Sequence, residues 1–141
     1  ILVSGTTREK GFEGIRPDMP GGWKGDKVNV FTGEGLSDMQ KEAYGFMKTL
    51  LQWRKGNKVI SEGSMKHFMP RNGIYVYERR YGDRSVVVFM NGVSKESSIE
   101  LGHYKEILDG KKSGRDVITG RTVTLEDVLE MKAREVLVLE L

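Results

Sequence analysis

Cysteine is absent from this 141-residue chain and proline occurs only three times. Without cysteine there are no disulfides, no thiol catalysis and no zinc–thiolate site, while the redox compartment stays open, because a cysteine-free protein is stable in either. Long apolar runs are missing too. The longest, Val86 to Met90 and Val136 to Leu139, have the length of a strand and fall far below the ~20 residues that cross a bilayer, so no membrane span is expected. Nor is there a strong excess of one charge: 23 Lys and Arg against 20 Asp and Glu leave a net +3 spread along the chain, which does not call for a nucleic-acid partner. The two histidines, His67 and His103, are each isolated from other metal-type ligands in the sequence, so neither reads as a ligand or a base. No Asp/Asn cluster has the alternating spacing of a calcium loop, and Gly110-Lys-Lys-Ser113 lacks phosphate-loop spacing. The sequence therefore asks for no cofactor and no metal. At this length it is also too short for a complete (β/α)8 barrel.

Glycine, in contrast, is plentiful and unevenly placed. Gly5, Gly11, Gly14, Gly21, Gly22, Gly25, Gly33 and Gly35, with Pro17 and Pro20, break any regular element between residues 4 and 36. A loop of that length inside a compact protein is commonly a binding or catalytic loop braced from elsewhere. The opening Ile-Leu-Val-Ser-Gly has neither an initiator Met nor a basic leader, and reads as the interior of a longer chain.

The loop ends at Ser37-Asp-Met-Gln40, the pattern of a capping box, which predicts a helix start. Met39, Ala43, Phe46, Met47, Leu50, Leu51 and Trp53 recur mostly at spacings of three and four, and Gly56 stands where such a helix would stop. The expected helix covers 37 to 54. Beyond it the period changes to two. Strands are expected at 65–69, 74–80, 85–91, 97–101, 116–119, 121–125 and 134–139, with turns at Pro70 to Gly73 and Gly82-Asp83 and a short helix at 104–108. Seven short strands at this spacing suggest a mainly β protein, an antiparallel β-sandwich preceded by one amphipathic helix and a long loop. The boundary falls between Gly56 and Glu62.

The segment Arg16-Pro-Asp-Met-Pro-Gly-Gly-Trp-Lys-Gly-Asp26, followed by Asn29 and Phe31, resembles the R-x-D-F-P-G-G-W-x-G-D…N-x-F stretch of bacterial cyclomaltodextrinase and neopullulanase-type glycosidases of the α-amylase family, glycoside hydrolase family 13. Leu51-Gln-Trp-Arg-Lys, Val59-Ile, His67-Phe-Met-Pro and Gly73-Ile-Tyr-Val-Tyr continue the resemblance in order. It covers nearly the whole chain and is strongest from Gly14 to Asn91. It departs at Met19, where the family usually has Phe, and in the charged Gly5 to Gly11 stretch. The resemblance implies that residues 1–56 are the last loop and helix of a (β/α)8 barrel and that 57–141 form the C-terminal β-sandwich. It further implies that the catalytic nucleophile, acid/base and transition-state carboxylates lie upstream, in the missing barrel. On that reading this chain holds no catalytic residue, and its substrate partner, an α-glucan, is met through the parent enzyme. Homo-oligomerisation and compartment are left open.

Within the loop, Arg16 and Asp18 suit the vicinal hydroxyls of a sugar, or else pair with each other as a staple. Trp23 stacks on a sugar face or pins the loop to the barrel rim, the latter being the commoner use of a loop aromatic. These three are the candidate substrate-binding residues. Tyr75, Tyr77 and Tyr81 could form a sugar-binding stripe, but cross-strand packing explains Tyr75 and Tyr77. The alternatives to an enzyme fragment are a free-standing carbohydrate-binding or structural β-sandwich and, resting on net charge alone, a nucleic-acid binder.

Overall fold

The computed structural model describes residues 19–141, so Arg16 and Asp18 lie outside the described residues. Two compact units divide between Lys48 and Thr49, inside helix α1 (Asp38–Arg54). The capping box forms as the sequence indicates. The Ser37 amide donates to Gln40 Oε1 at 2.9 Å, and the Gln40 amide donates to Ser37 Oγ at 3.3 Å, satisfying two amides that the first helical turn leaves open. The helix buries none of its residues completely.

The second unit is built on antiparallel strands β1 (Ser64–His67), β2 (Ile74–Tyr81), β3 (Arg84–Asn91), β4 (Ser97–Glu100), β5 (Ser113–Asp116), β6 (Thr122–Thr124), β7 (Val128–Met131) and β8 (Val136–Glu140). Six of them form one sheet in the order β1-β2-β3-β8-β5-β6, and β4 pairs with β7 in a second sheet. Turn chemistry sets the first two registers. Asn72 and Gly73 both have positive φ, 51° and 79°, the type I′ requirement that Asn-Gly meets, and Arg71 and Ile74 exchange both backbone bonds across it. Gly82 (φ 61°) followed by Asp83 closes β2–β3 with Tyr81 opposite Arg84.

The main core lies between the large sheet and the small one. Ile74, Val76, Val87, Phe89, Leu137 and Leu139 face Ile99, Leu129 and Met131, together with residues of a 3-10 turn, Leu101–Tyr104, and of the short helix α3 (Lys105–Leu108). The opposite face of the large sheet is covered as well. Val86, Val88 and Val138 pack with Val59, from the one-turn helix α2 (Lys58–Ser61), and with Leu50 and Trp53 of α1. Trp53 Nε1 donates to Glu140 Oε1 at 2.7 Å, fixing the last turn of α1 to β8. The run Val86-Val-Val-Phe89 is thus continuous because both faces of β3 are buried.

Three elements differ from the sequence-based expectation, the first being the one-turn helix α2, which the sequence pattern did not indicate. Residues 117–119 form a turn instead of continuing a strand, because the carboxylate of Asp116, the last residue of β5, accepts the Ile118 and Thr119 amides and the Thr119 hydroxyl, at 3.3, 3.2 and 2.6 Å. An Asx turn of this kind overrides the β-propensity of Val117 and Ile118, and the strand lies just before it, at β5. Strand β7 was not anticipated, its alternation being confined to four residues beside acidic neighbours.

Buried Asn91 donates from Nδ2 to the carbonyls of Lys95 and Lys132, both at 2.9 Å, and accepts the Val93 amide at 3.0 Å. Replacing it with Ala leaves these backbone groups without partners, and should lower unfolding stability in urea by about 2–3 kcal/mol. Asn91→Asp, which keeps the shape and loses the donors, should cost a comparable amount. A loss below about 0.5 kcal/mol for both would contradict this assignment.

Candidate functional site

The glycine-rich loop is held by its own polar side chains. Asp26 Oδ2 accepts the Gly21 amide at 2.7 Å and the Trp23 amide at 3.1 Å. Asn29 Oδ1 accepts the amides of Phe31 and Thr32 at 2.9 and 3.1 Å, and the Val30 amide reaches the Pro20 carbonyl at 3.1 Å. Gly21 is required twice over: its φ is 97°, and a Cβ there would lie 2.6 Å from Asn29 Cγ. Gly35 (φ 71°) likewise admits no Cβ, which would lie 2.5 Å from the Lys27 carbonyl oxygen. Val30 and Leu36 are buried beneath these turns. The Pro-Gly-Gly-Trp-x-Gly-Asp spacing thus describes a self-braced turn, with Asp26 as its hub.

Upon this brace Trp23 is 70% exposed and Phe31 68% exposed. Neither ring is packed away among the described residues. Sequence reasoning named Trp23; it missed the bracing roles of Asp26 and Asn29, which their Asx-turn chemistry could have signalled.

On the outer face of the large sheet, Tyr75 and Tyr77 lie 5.7 Å apart between ring centroids, and His67 meets Tyr75 edge-on at 6.2 Å. Tyr77 packs against the outer valine cluster. Burial pushes its phenol above the ordinary value and Tyr75 adds in the same direction, with Arg79 opposing. Tyr81 stands apart at the turn, with Lys58 Nζ 5.9 Å from its ring centroid.

Two unequal antiparallel sheets enclosing one core, with a helix before them, define the class: an antiparallel β-sandwich domain. A solved structure of AmyP in complex with maltose matches it with a TM-score of 0.65 at 14% identity, over 77% of this chain and 22% of that one. Residues 65–140, more than half of the sequence, match the model of the cyclo-malto-dextrinase C-terminal domain, and the chain belongs to that family. Among curated relatives, an alpha-amylase of Niallia circulans is 28% identical over 86 residues, 55% of this chain and 16% of its own length. A cyclomaltodextrin glucanotransferase of the same organism is 31% identical over 85 residues, 53% of this chain and 12% of its own. The chain therefore spans only a small part of the relatives it matches.

Two outcomes follow from this geometry. Asp26→Ala frees the Gly21 and Trp23 amides, and trypsin should cut after Lys24 roughly fivefold faster, because cleavage tracks the opened population and one exposed hydrogen bond is worth about 1 kcal/mol; an unchanged rate would mean that Asp26 does not brace the loop. For Tyr77 the folded phenol holds its proton to higher pH than the unfolded one. Both forms are neutral below about pH 10, so stability should fall as pH rises from there toward the folded value. Tyr77→Phe should flatten that decline in urea midpoints taken between about pH 9 and 11, and an identical slope would contradict the raised value.

Proposed function

We propose that this chain is the C-terminal portion of a retaining glycosidase that cleaves α-glucosidic bonds in maltodextrins, cyclodextrins or related glucans. In this reading residues 1–56 complete the barrel and residues 57–141 form a sandwich that does no chemistry. The observation that carries it is the order of features in one chain: a braced Pro-Gly-Gly-Trp loop, a capped helix, then a domain of the cyclo-malto-dextrinase C-terminal family. The names of the curated relatives, alpha-amylase and cyclomaltodextrin glucanotransferase, support an α-glucan as substrate.

Loops that follow barrel strands lie on the catalytic face, so the loop is the segment assigned to substrate. Trp23 offers an exposed ring on a fixed backbone, suited to stacking on a glucosyl face, and Arg16 and Asp18 are assigned to its hydroxyls. Retaining hydrolysis needs two carboxyls about 5 Å apart on a rigid frame. Asp26 already accepts two loop amides and is assigned a structural role. The family resemblance implies catalytic carboxylates on upstream barrel strands, and this reading assigns them there.

Replacing Trp23 with Ala in the full-length gene product should raise KM for maltoheptaose about 2- to 10-fold, the range of an aromatic contact, with kcat less affected. If KM were unchanged while stability fell, Trp23 would be an anchor. The 141-residue chain alone should not hydrolyse maltoheptaose. Turnover by it, abolished on replacing one of its own carboxylates, would overturn the upstream assignment, and so would a native gene product whose intact mass matched this chain alone.

A further inference from the structure

A concave groove of about 840 Å³ opens at one end of the sandwich, within the range of small-ligand sites. Its polar wall comes from three separate segments: Arg71 and Asn72 of the β1–β2 turn, Lys95 and Glu96 of the β3–β4 loop, and Glu100 and His103 around the 3-10 turn. Ile74, Val93 and Ile99 contribute apolar surface. Elsewhere on this domain Lys66, Arg80, Arg115 and Arg121 each meet a carboxylate. Arg71, Lys95, Glu96 and Glu100, in contrast, are in no ion pair among the described residues. Four unpaired charges of both signs thus converge on one concavity.

The walls are preorganised. Asn91 holds the Lys95 carbonyl, and the Gly92 amide donates to the Gly73 carbonyl at 2.9 Å, tying the β3–β4 loop to the β1–β2 turn. The His103 ring is set edge-on against Phe68 at 5.8 Å and Tyr104 at 5.0 Å, with Arg71 Nη1 3.5 Å from its Nδ1. Tyr104, only 4% exposed, also lines the groove. Its phenol is pushed up by burial while Arg71 pulls the other way, which places the guanidinium within electrostatic reach of that hydroxyl.

The chemistry narrows the ligand. A phosphate or other anion would meet Glu96 and Glu100, and a cation would meet Arg71 and Lys95. Among the described residues no cluster of His, Cys, Asp or Glu is arranged to hold a metal ion. A neutral molecule dense in hydroxyls uses both the donors and the acceptors, and the fixed His103 ring adds a planar apolar surface. We propose that this groove binds a short α-glucan, a maltooligosaccharide, through Arg71, Lys95, Glu96, Glu100 and His103. The choice of an α-linked glucan rests on the function proposed above; the groove and its preference for a neutral polyol do not.

Titration of the 15N-labelled 141-residue chain with maltotetraose is expected to shift the amides of residues 71–73 and 95–104 in a saturable manner. For an open site with one ring, the dissociation constant should be on the order of 1 mM. Arg71→Ala should weaken binding roughly tenfold, the usual effect of removing a charged hydrogen-bond donor, and His103→Ala should weaken it as well. Lys111→Ala, outside the groove, should leave it unchanged. Circular dichroism and thermal melts confirm that each variant is folded. Saturable shifts confined elsewhere, no shifts, or equal weakening by all three variants would overturn the proposal. Displacement of the sugar by inorganic phosphate would overturn its neutral-ligand basis. Equal binding of cellotetraose would overturn the α-glucan assignment of the groove. None of these outcomes bears on hydrolysis by the full-length protein, and an absence of α-glucan hydrolysis with the groove still binding maltotetraose would sink the enzyme reading alone.

Discussion

Strand β3 is buried on both faces, and most of the second unit is arranged to permit that. An antiparallel sheet commonly leaves one face to water, but Val87 and Phe89 point into the main core while Val86 and Val88 point to the other side. The main core is closed by β4, β7 and the segment from Leu101 to Leu108. The other side is closed by Val59, Leu50 and Trp53, none of which belongs to a strand. The last turns of α1 are therefore part of the sandwich in energetic terms. A short connection through Asn57, whose side chain caps α2, returns the chain to the sheet at once, so Leu50, Trp53 and Val59, near one another in sequence, together cover the distant valine face.

This arrangement also separates the work of the two ends of α1. Its C-terminal turns bury apolar surface and place Trp53 Nε1 on Glu140, whereas Met39, at the start, is 69% exposed and Phe46 is also exposed. The last turns of the amphipathic helix read from the sequence pack into this domain through Leu50 and Trp53. The loop before the helix does not rely on the apolar stripe for its shape, since Asp26 and Asn29 satisfy its amides locally. Exposed aromatic side chains can then stand on a backbone that is already ordered, which lowers the entropy lost when they make a contact.

What could be read from sequence follows the range of the interaction responsible. The capping box at Ser37 and Gln40 and the Asn72-Gly73 turn are decided within four residues, and both form as their residue types require. The sandwich was legible because alternation repeats along several strands. The 116–119 segment misled because one carboxylate outweighs the propensity of two β-branched residues, and the small-sheet strand β7 is too short to carry a period. The groove was invisible for a different reason. Arg71, Lys95 and His103 are far apart in the chain, and only the register of β2 with β3 and the turn after β4 bring them to one place. His103, read from sequence as an isolated side chain, is isolated only along the chain.

The buried polar residues show how such a surface can be held rigid by a domain whose core is otherwise hydrocarbon. Glu78 is buried against Arg80, with Nε and Nη2 at 2.8 and 2.7 Å from its Oε1, and Asp116 is spent on its own turn and on the Val138 amide. Asn91 acts differently: from the end of a central strand it reaches two carbonyls that belong to different connections, at Lys95 and Lys132. A buried amide in that position costs stability unless every group is matched, and an apolar side chain of equal size could pack there but could not orient either loop. Arg134, with positive φ, adds to the same junction by donating from Nη1 to the Gly92 carbonyl. The hydrophobic faces of β3 thus determine that the sandwich forms, while Asn91 determines the path of the loops at its rim. The arrangement of Lys95 and Glu96 opposite Arg71 is a consequence of the second constraint and not of the first.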